Sequence, residues 1–207
     1  TRFSLRIFFT NLPGYIVMII GLLFGSVLIA FGDLMPRMLG EYQNIVMRDM
    51  ISEYQYIVYD CDEAAEVTDP GAEKFAMASY DYTKPGYLTD SITVYGVVDG
   101  SKFVDAEIPA GKALVSTGGV SVKFGLNSGD SITLVEKYKR DASYKLDIAG
   151  VYVYESSLAV FMNIDDFART FGEEEGYFTG YFSNTELTGL PDDDVATVIT
   201  ASDYTKL

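Results

Sequence analysis

Residues 113–134 read ALVSTGGVSVKFGLNSGDSITL and hold four glycines, one lysine and many hydroxyls between two apolar runs. Glycine with lysine and hydroxyls is the chemistry of a phosphate cradle. A phosphate-binding loop, however, needs G-x-x-x-x-G-K-[ST] between a strand and a helix, and a dinucleotide loop needs G-x-G-x-x-G. GGVSVKFG places Lys123 after valine, with no Ser or Thr following it, and neither pattern is present. A structural reading fits better. KALVS is a strand, Ser116 caps a short helix over 117–125, and Leu126 closes the core. Asn127-Ser128-Gly129-Asp130 then makes a turn with Gly129 at positive φ, and ITLV begins the next strand.

Acidic clusters stand at 60–63 (DCDE), 173–175 (EEE) and 192–194 (DDD). Calcium requires about six to eight oxygens in a shaped loop, and no such spacing occurs. Solvated loops are the expectation, with no metal and no cofactor. The chain has no histidine, which excludes a Ser-His-Asp or Cys-His centre and removes the commonest zinc ligand. Cys61 is the single cysteine, so an internal disulfide is impossible. No catalytic residue is assigned and the chain is not expected to be an enzyme. An anchored extracellular enzyme lacks any recognisable nucleophile.

The elements that hold these residues begin with a membrane span. Residues 14–31, GYIVMIIGLLFGSVLIAF, carry no charge. With Leu12 and Pro13 the run reaches about 20 residues, enough to cross a ~30 Å hydrocarbon layer. A core helix would show a polar side, and a signal peptide would have a shorter apolar run and a cleavage site. Arg2 and Arg6 are the only charges in residues 1–31; the other 176 residues carry 13 bases and 30 acids, net −17. Basic flanks stay in the cytoplasm, so the acidic part after about residue 33 is expected outside the cell membrane. Its charge should repel nucleic acid and suit cationic ligands.

This gives a cytoplasmic amphipathic flank (1–11), a transmembrane helix (12–32), a helical stalk (33–52) and an extracytoplasmic α+β domain (53–207). The stalk places Met35, Met38, Leu39, Tyr42, Ile45, Val46 and Met50 on one face, which needs either the outer domain or a second stalk as partner. Pro36 fits a first turn or a kink. Period-two patterning marks strands near 54–58, 74–83, 91–98, 112–116, 131–138, 143–155, 158–163, 176–183 and 195–200. IDDFARTFG (164–172) switches to helical spacing, with Gly172 as its stop. The chain opens on Thr and reads as a piece of a longer protein.

The order of basic flank, membrane helix, stalk and outer domain, with ITVYGV, GKALVS, a short helix, LNSGDSITL and YKLDIAGVYVY inside it, resembles the FtsX-like (MacB-like) ABC transporter permease family. Leu126, Gly129, Asp130, Ile132 and Leu134 match its L-x-x-G-D-x-I-x-L signature, and Gly150 matches its strand-end glycine. The segment from FSNTELTGL to the end resembles the return toward a next membrane helix. The resemblance implies a MacB-like periplasmic core in a bacterial membrane. It also implies a separate cytoplasmic ABC-type ATPase subunit, a second permease protomer or half, and an extracellular peptide or protein client. The absence of disulfides and the acidity resemble versions from Gram-positive bacteria. No family motif assigns a substrate residue. A different class, a single-span receptor or sensor ectodomain, fits the same layout. The residues after Leu207 separate the two: further apolar spans favour the permease.

Overall fold

The computed structural model describes residues 12–62, 64, 67–137 and 142–205. The expected flank 1–11 lies outside them, as do Glu63 of the first acidic cluster, Tyr138 at the end of an expected strand and the last two residues. The chain divides into two compact units between Asn44 and Ile45.

The first unit is most of helix α1 (Leu12–Arg48), 37 residues without a break. At 1.5 Å per residue it is about 55 Å long, so it exceeds a ~30 Å hydrocarbon layer by several turns. By length and composition it is the one helix among the described residues able to cross a membrane. Its apolar run is exposed all round, as a lipid-facing helix requires: Leu22, Leu23, Phe24 and Ile29 are each more than 60% exposed. The backbone marks no boundary between span and stalk at residues 32–33. Pro36 lies inside the helix, neither at a first turn nor at a break. The expected stalk face divides: Met35, Met38, Leu39 and Tyr42 are exposed, whereas Val46 is buried. The outer unit therefore takes in the last turn of α1, ahead of the expected start at residue 53.

The second unit is α+β. Its strands are β1 (Tyr54–Val58), β2 (Glu73–Tyr82), β3 (Asp90–Val97), β4 (Lys112–Ser116), β5 (Ser131–Glu136), β6 (Ser143–Tyr152), β7 (Ala159–Asn163), β8 (Gly180–Ser183) and β9 (Val195–Thr200). After β4 comes a π-helical turn, Thr117–Ser121, that runs into α2 (Val122–Phe124). α3 (Ile164–Phe171) follows β7, and α4 (Ala201–Thr205) follows β9.

The pairings close a ring, β2-β3-β7-β4-β6-β5-β2, in which β3–β7 and β4–β6 are parallel. Closure removes free edges from those six strands. Ile92, Val94, Ala113, Val115, Ile132, Leu134, Leu146, Ile148, Val160 and Met162 point to one core, joined by Phe124 and by Phe167 of α3. The alternation in SITL and KLDI produces this, with every second residue inward. β2 reaches ten residues and serves two neighbours: 73–75 pair with β8, and 80–81 with β5. β8, β1 and β9 extend the sheet from there, over a second core that includes Ile51, Phe75, Phe161 and Phe182.

Two expected strands are shorter than their apolar patterns. The run 176–183 is strand only from Gly180, because Gly176 turns at φ 86. The run 143–155 leaves the sheet after Tyr152, where Thr117 Oγ1 donates to Tyr152 O (2.8 Å) and accepts from Tyr154 N–H (3.0 Å).

Candidate functional site

The glycine-rich stretch folds as two unlike features. Ser116, fully buried, accepts at Oγ from Val120 N–H (3.1 Å) and from Ala159 N–H (3.0 Å). The first bond caps the helical turn as the sequence implies; the second ties the turn to β7. Gly118 and Gly119 press against the β6–β7 loop, residues 153–158. A Cβ on Gly118 would stand 2.8 Å from Glu155 Cα. One on Gly119 would collide with Ser157 O and meet Ser116 Oγ at 2.7 Å. No side chain fits at either position.

The second feature is the LNSGD turn. Asp130 N–H donates to Asn127 O (3.1 Å), closing four residues, and Gly129 takes φ 94 at the third. The Asp130 carboxylate accepts from Asn127 N–H (2.9 Å). Gly129 N–H and Asp130 O bond the carbonyl and N–H of Ile148, so the turn sits on β6. Ile132 and Leu134 beyond it are fully buried, and Leu126 packs on the same core. The matched signature residues thus occupy one turn-and-strand unit. Gly150 lies within β6 at an irregularity of the β4–β6 register, and a Cβ there would stand 3.4 Å from Leu114.

The β6–β7 loop that presses on Gly118 and Gly119 is also held by the end of α1. Asp49, one residue past the helix, accepts at Oδ2 from Glu155 N–H and from Ser156 N–H (2.8 Å). Its side chain is 3% exposed. Arg48 donates to Glu155 Oε2 at 2.5 Å, and this hydrogen bond, with that to Asp49, raises the guanidinium pKa. Ile51 follows at once, buried against the core. A continuous path of contacts therefore runs from the last turn of α1 through Asp49, loop 153–158 and the glycine pair to Ser116, and through it to β4 and β7.

Sequence patterning placed Ser116, Gly129 and Asp130 but missed Asp49 and Glu155. One signal was present. An acid at the C-terminal end of a helix opposes the helix dipole, so its partners must lie elsewhere.

The acidic clusters remain at the surface. Asp60, Cys61 and Asp62 bring their ligand atoms within 4.8 Å of one another, with both carboxylates exposed. Asp62 N–H donates to Asp60 Oδ1 (2.9 Å), an ordinary turn contact. Burial, ahead of the neighbouring acids, pushes the Cys61 thiol up, which disfavours the thiolate a metal or an electrophile would need. Asp192–Asp194 form a single 3-10 turn, and Glu173–Glu175 follow α3.

No protein-family model matches this chain, and no curated protein matches it. Among solved structures the chain is similar to the crystal structure of the periplasmic region of MacB from Actinobacillus actinomycetemcomitans. Sequence identity is 8%, the match covers 77% of this chain and 94% of that one, and the TM-score is 0.42.

Proposed function

We propose that the chain is the first membrane helix and outer domain of an ABC transporter permease subunit of the FtsX-like, MacB-like kind. In this reading α1 crosses the membrane, the acidic domain faces outward, and ATP is hydrolysed by a separate cytoplasmic subunit. The chain itself is no enzyme. A second permease half completes the complex, and the outer domain meets a peptide or protein client.

The observation that carries the proposal is the LNSGD turn. Leu126, Gly129, Asp130, Ile132 and Leu134 each have a distinct structural task in one unit: core contact, positive φ, turn closure, and two inward strand positions. The unit stands in the same chain as a 37-residue helix whose residues 12–32 carry no charge, the order expected of the family.

The mechanics follow from the junction. A push on α1 reaches Asp49, whose carboxylate holds the β6–β7 loop by two amide hydrogen bonds. The loop cannot slide freely, because Gly118 and Gly119 leave it no slack. Motion passes to β4 and β7, which belong to the closed ring, so the domain moves as one body.

Isolation of the full-length protein from its membranes tests this. Recovery of an ABC-type ATPase in the same complex is the expected result. Recovery of signalling components without an ATPase would replace the permease with a single-span sensor.

A further inference from the structure

Pro36 stands inside α1, and its cost falls on one particular residue. Proline has no N–H, so the hydrogen bond from residue 36 to the carbonyl of residue 32 is missing, and the proline ring crowds that same carbonyl. Residue 32 is glycine, the residue with the most backbone freedom. Gly40 stands one turn beyond Pro36. Outside the helix's own backbone, nothing lies within 4 Å of a Cβ added to either glycine. Gly32, Pro36 and Gly40 thus put a poor helix former on each of three successive turns, with no packing to brace them.

The turn that lacks its backbone bond has a side-chain bond instead. Arg37 Nη2 donates to Asp33 Oδ1 at 3.3 Å, four residues apart, with the two side chains 75% and 68% exposed. An acid one turn before a base is the favourable order on a helix. An exposed pair of this kind is weak on a rigid helix. Here it spans the one turn where the ladder is broken, so it has more to hold.

The position of the gap is also informative. Residues 12–32 carry no charge, and Asp33 is the first that does. A carbonyl without a donor is costly in hydrocarbon and is readily hydrated where water reaches it. One turn earlier the gap would fall within the apolar run. At Gly32, exposed and next to Asp33, it falls at the end of that run.

We propose that residues 32–40 are a hinge in α1 at the membrane surface, with the Asp33–Arg37 ion pair as its clasp. The placement at the surface rests on the reading that α1 crosses the membrane; the hinge itself rests on the helix. The span tilts against the stalk at the hinge, and the ion pair favours the straight form. α1 then forwards displacement along its axis toward Asp49 and absorbs bending.

Electron–electron distance measurement tests this on the full-length chain in phosphatidylcholine nanodiscs. Spin labels at Met18→Cys and Asn44→Cys, in a Cys61→Ser background, stand about 39 Å apart on a straight helix at 1.5 Å per residue. The distance distribution is expected to be about twice as wide in the parent as in Pro36→Ala. Asp33→Asn should widen it about 1.3-fold beyond the parent. About 1 M salt, where the Debye length is about 3 Å, should widen the parent to the Asp33→Asn value and leave Asp33→Asn unchanged. Equal widths in the parent and Pro36→Ala overturn the hinge. So does a shorter mean distance in the parent at equal width, which is a fixed kink. Widths that respond to salt alike in the parent and Asp33→Asn overturn the clasp. The distances belong to α1 alone, so a rigid α1 leaves the transporter reading standing, and absence of an ATPase partner leaves the hinge standing.

Discussion

Gly118-Gly119 and Gly129 lie ten residues apart in the same stretch, yet glycine serves opposite ends in the two places. At 118–119 the backbone angles are open to any residue and the space is not: the β6–β7 loop occupies the volume of a Cβ. At 129 the space is open, with nothing within 4 Å of an added Cβ, but φ is 94. The first pair exists for a contact that leads to the end of α1. The second shapes a turn that holds the fold. A glycine-rich segment therefore has to be divided by cause before any function is read from it.

Substitutions separate the two causes. Gly119→Val forces a branched side chain against Ser157 and Ser116 and is expected to cost about 3 kcal/mol, the upper part of the overpacking range. For a domain this size that lowers the melting temperature by roughly 10 °C. A melting temperature equal to the parent's would show that the loop does not press on the turn. Asp49→Ala removes the acceptor of two amides and is expected to cost about 2 kcal/mol. Arg48→Ala breaks the exposed pair with Glu155 and one contact to the buried Asp49 carboxylate, which keeps its two amide donors, and should lower the melting temperature less than Asp49→Ala does.

Gly129→Val is expected to cost about 1–2 kcal/mol from strain alone. Asn tolerates the left-handed region, so Gly129→Asn should recover most of that loss. Gly119→Asn should recover nothing, since its defect is volume. If Asn rescues both positions equally, the distinction between space and angle fails.

The smallest effect at neutral pH comes from tyrosine. Burial raises the hydroxyl pKa of Tyr80, Tyr82, Tyr152 and Tyr177 above the ordinary 10.0. A folded-state pKa above the unfolded one means that the native state holds the proton longer. Stability is then intact below pH 10 and falls as pH rises beyond it. Tyr80→Phe should flatten the alkaline fall in melting temperature. An unchanged alkaline slope would place the hydroxyl in water.

What the sequence made legible was local. The Ser116 cap, the Gly129 turn and the stop at Gly172 rest on residues within a few positions of each other, and the structure has all three. The inward positions of β5 and β6 followed from alternation. The Asp49 junction was not legible, because its partners lie 106 and 107 residues away and its local signal was one acid against a helix dipole. Nor was the split of β2: a ten-residue strand reads the same whether it has one neighbour on a side or two. The passage from span to stalk leaves no mark in the backbone of α1. A helix that leaves lipid keeps its backbone hydrogen bonds and merely changes its side chains.

Amide hydrogen exchange on the full-length chain, parent against Asp49→Ala, tests most directly whether the end of α1 is mechanically joined to the sheet. Loss of Asp49 should speed exchange at Glu155 and Ser156, which it holds, and also at Val120 and Ala159, which Ser116 holds. Acceleration at all four amides is the result of a continuous junction. Acceleration at Glu155 and Ser156 alone, with Val120 and Ala159 unchanged, would mean that displacement stops at the loop and that α1 does not drive the outer domain by this path.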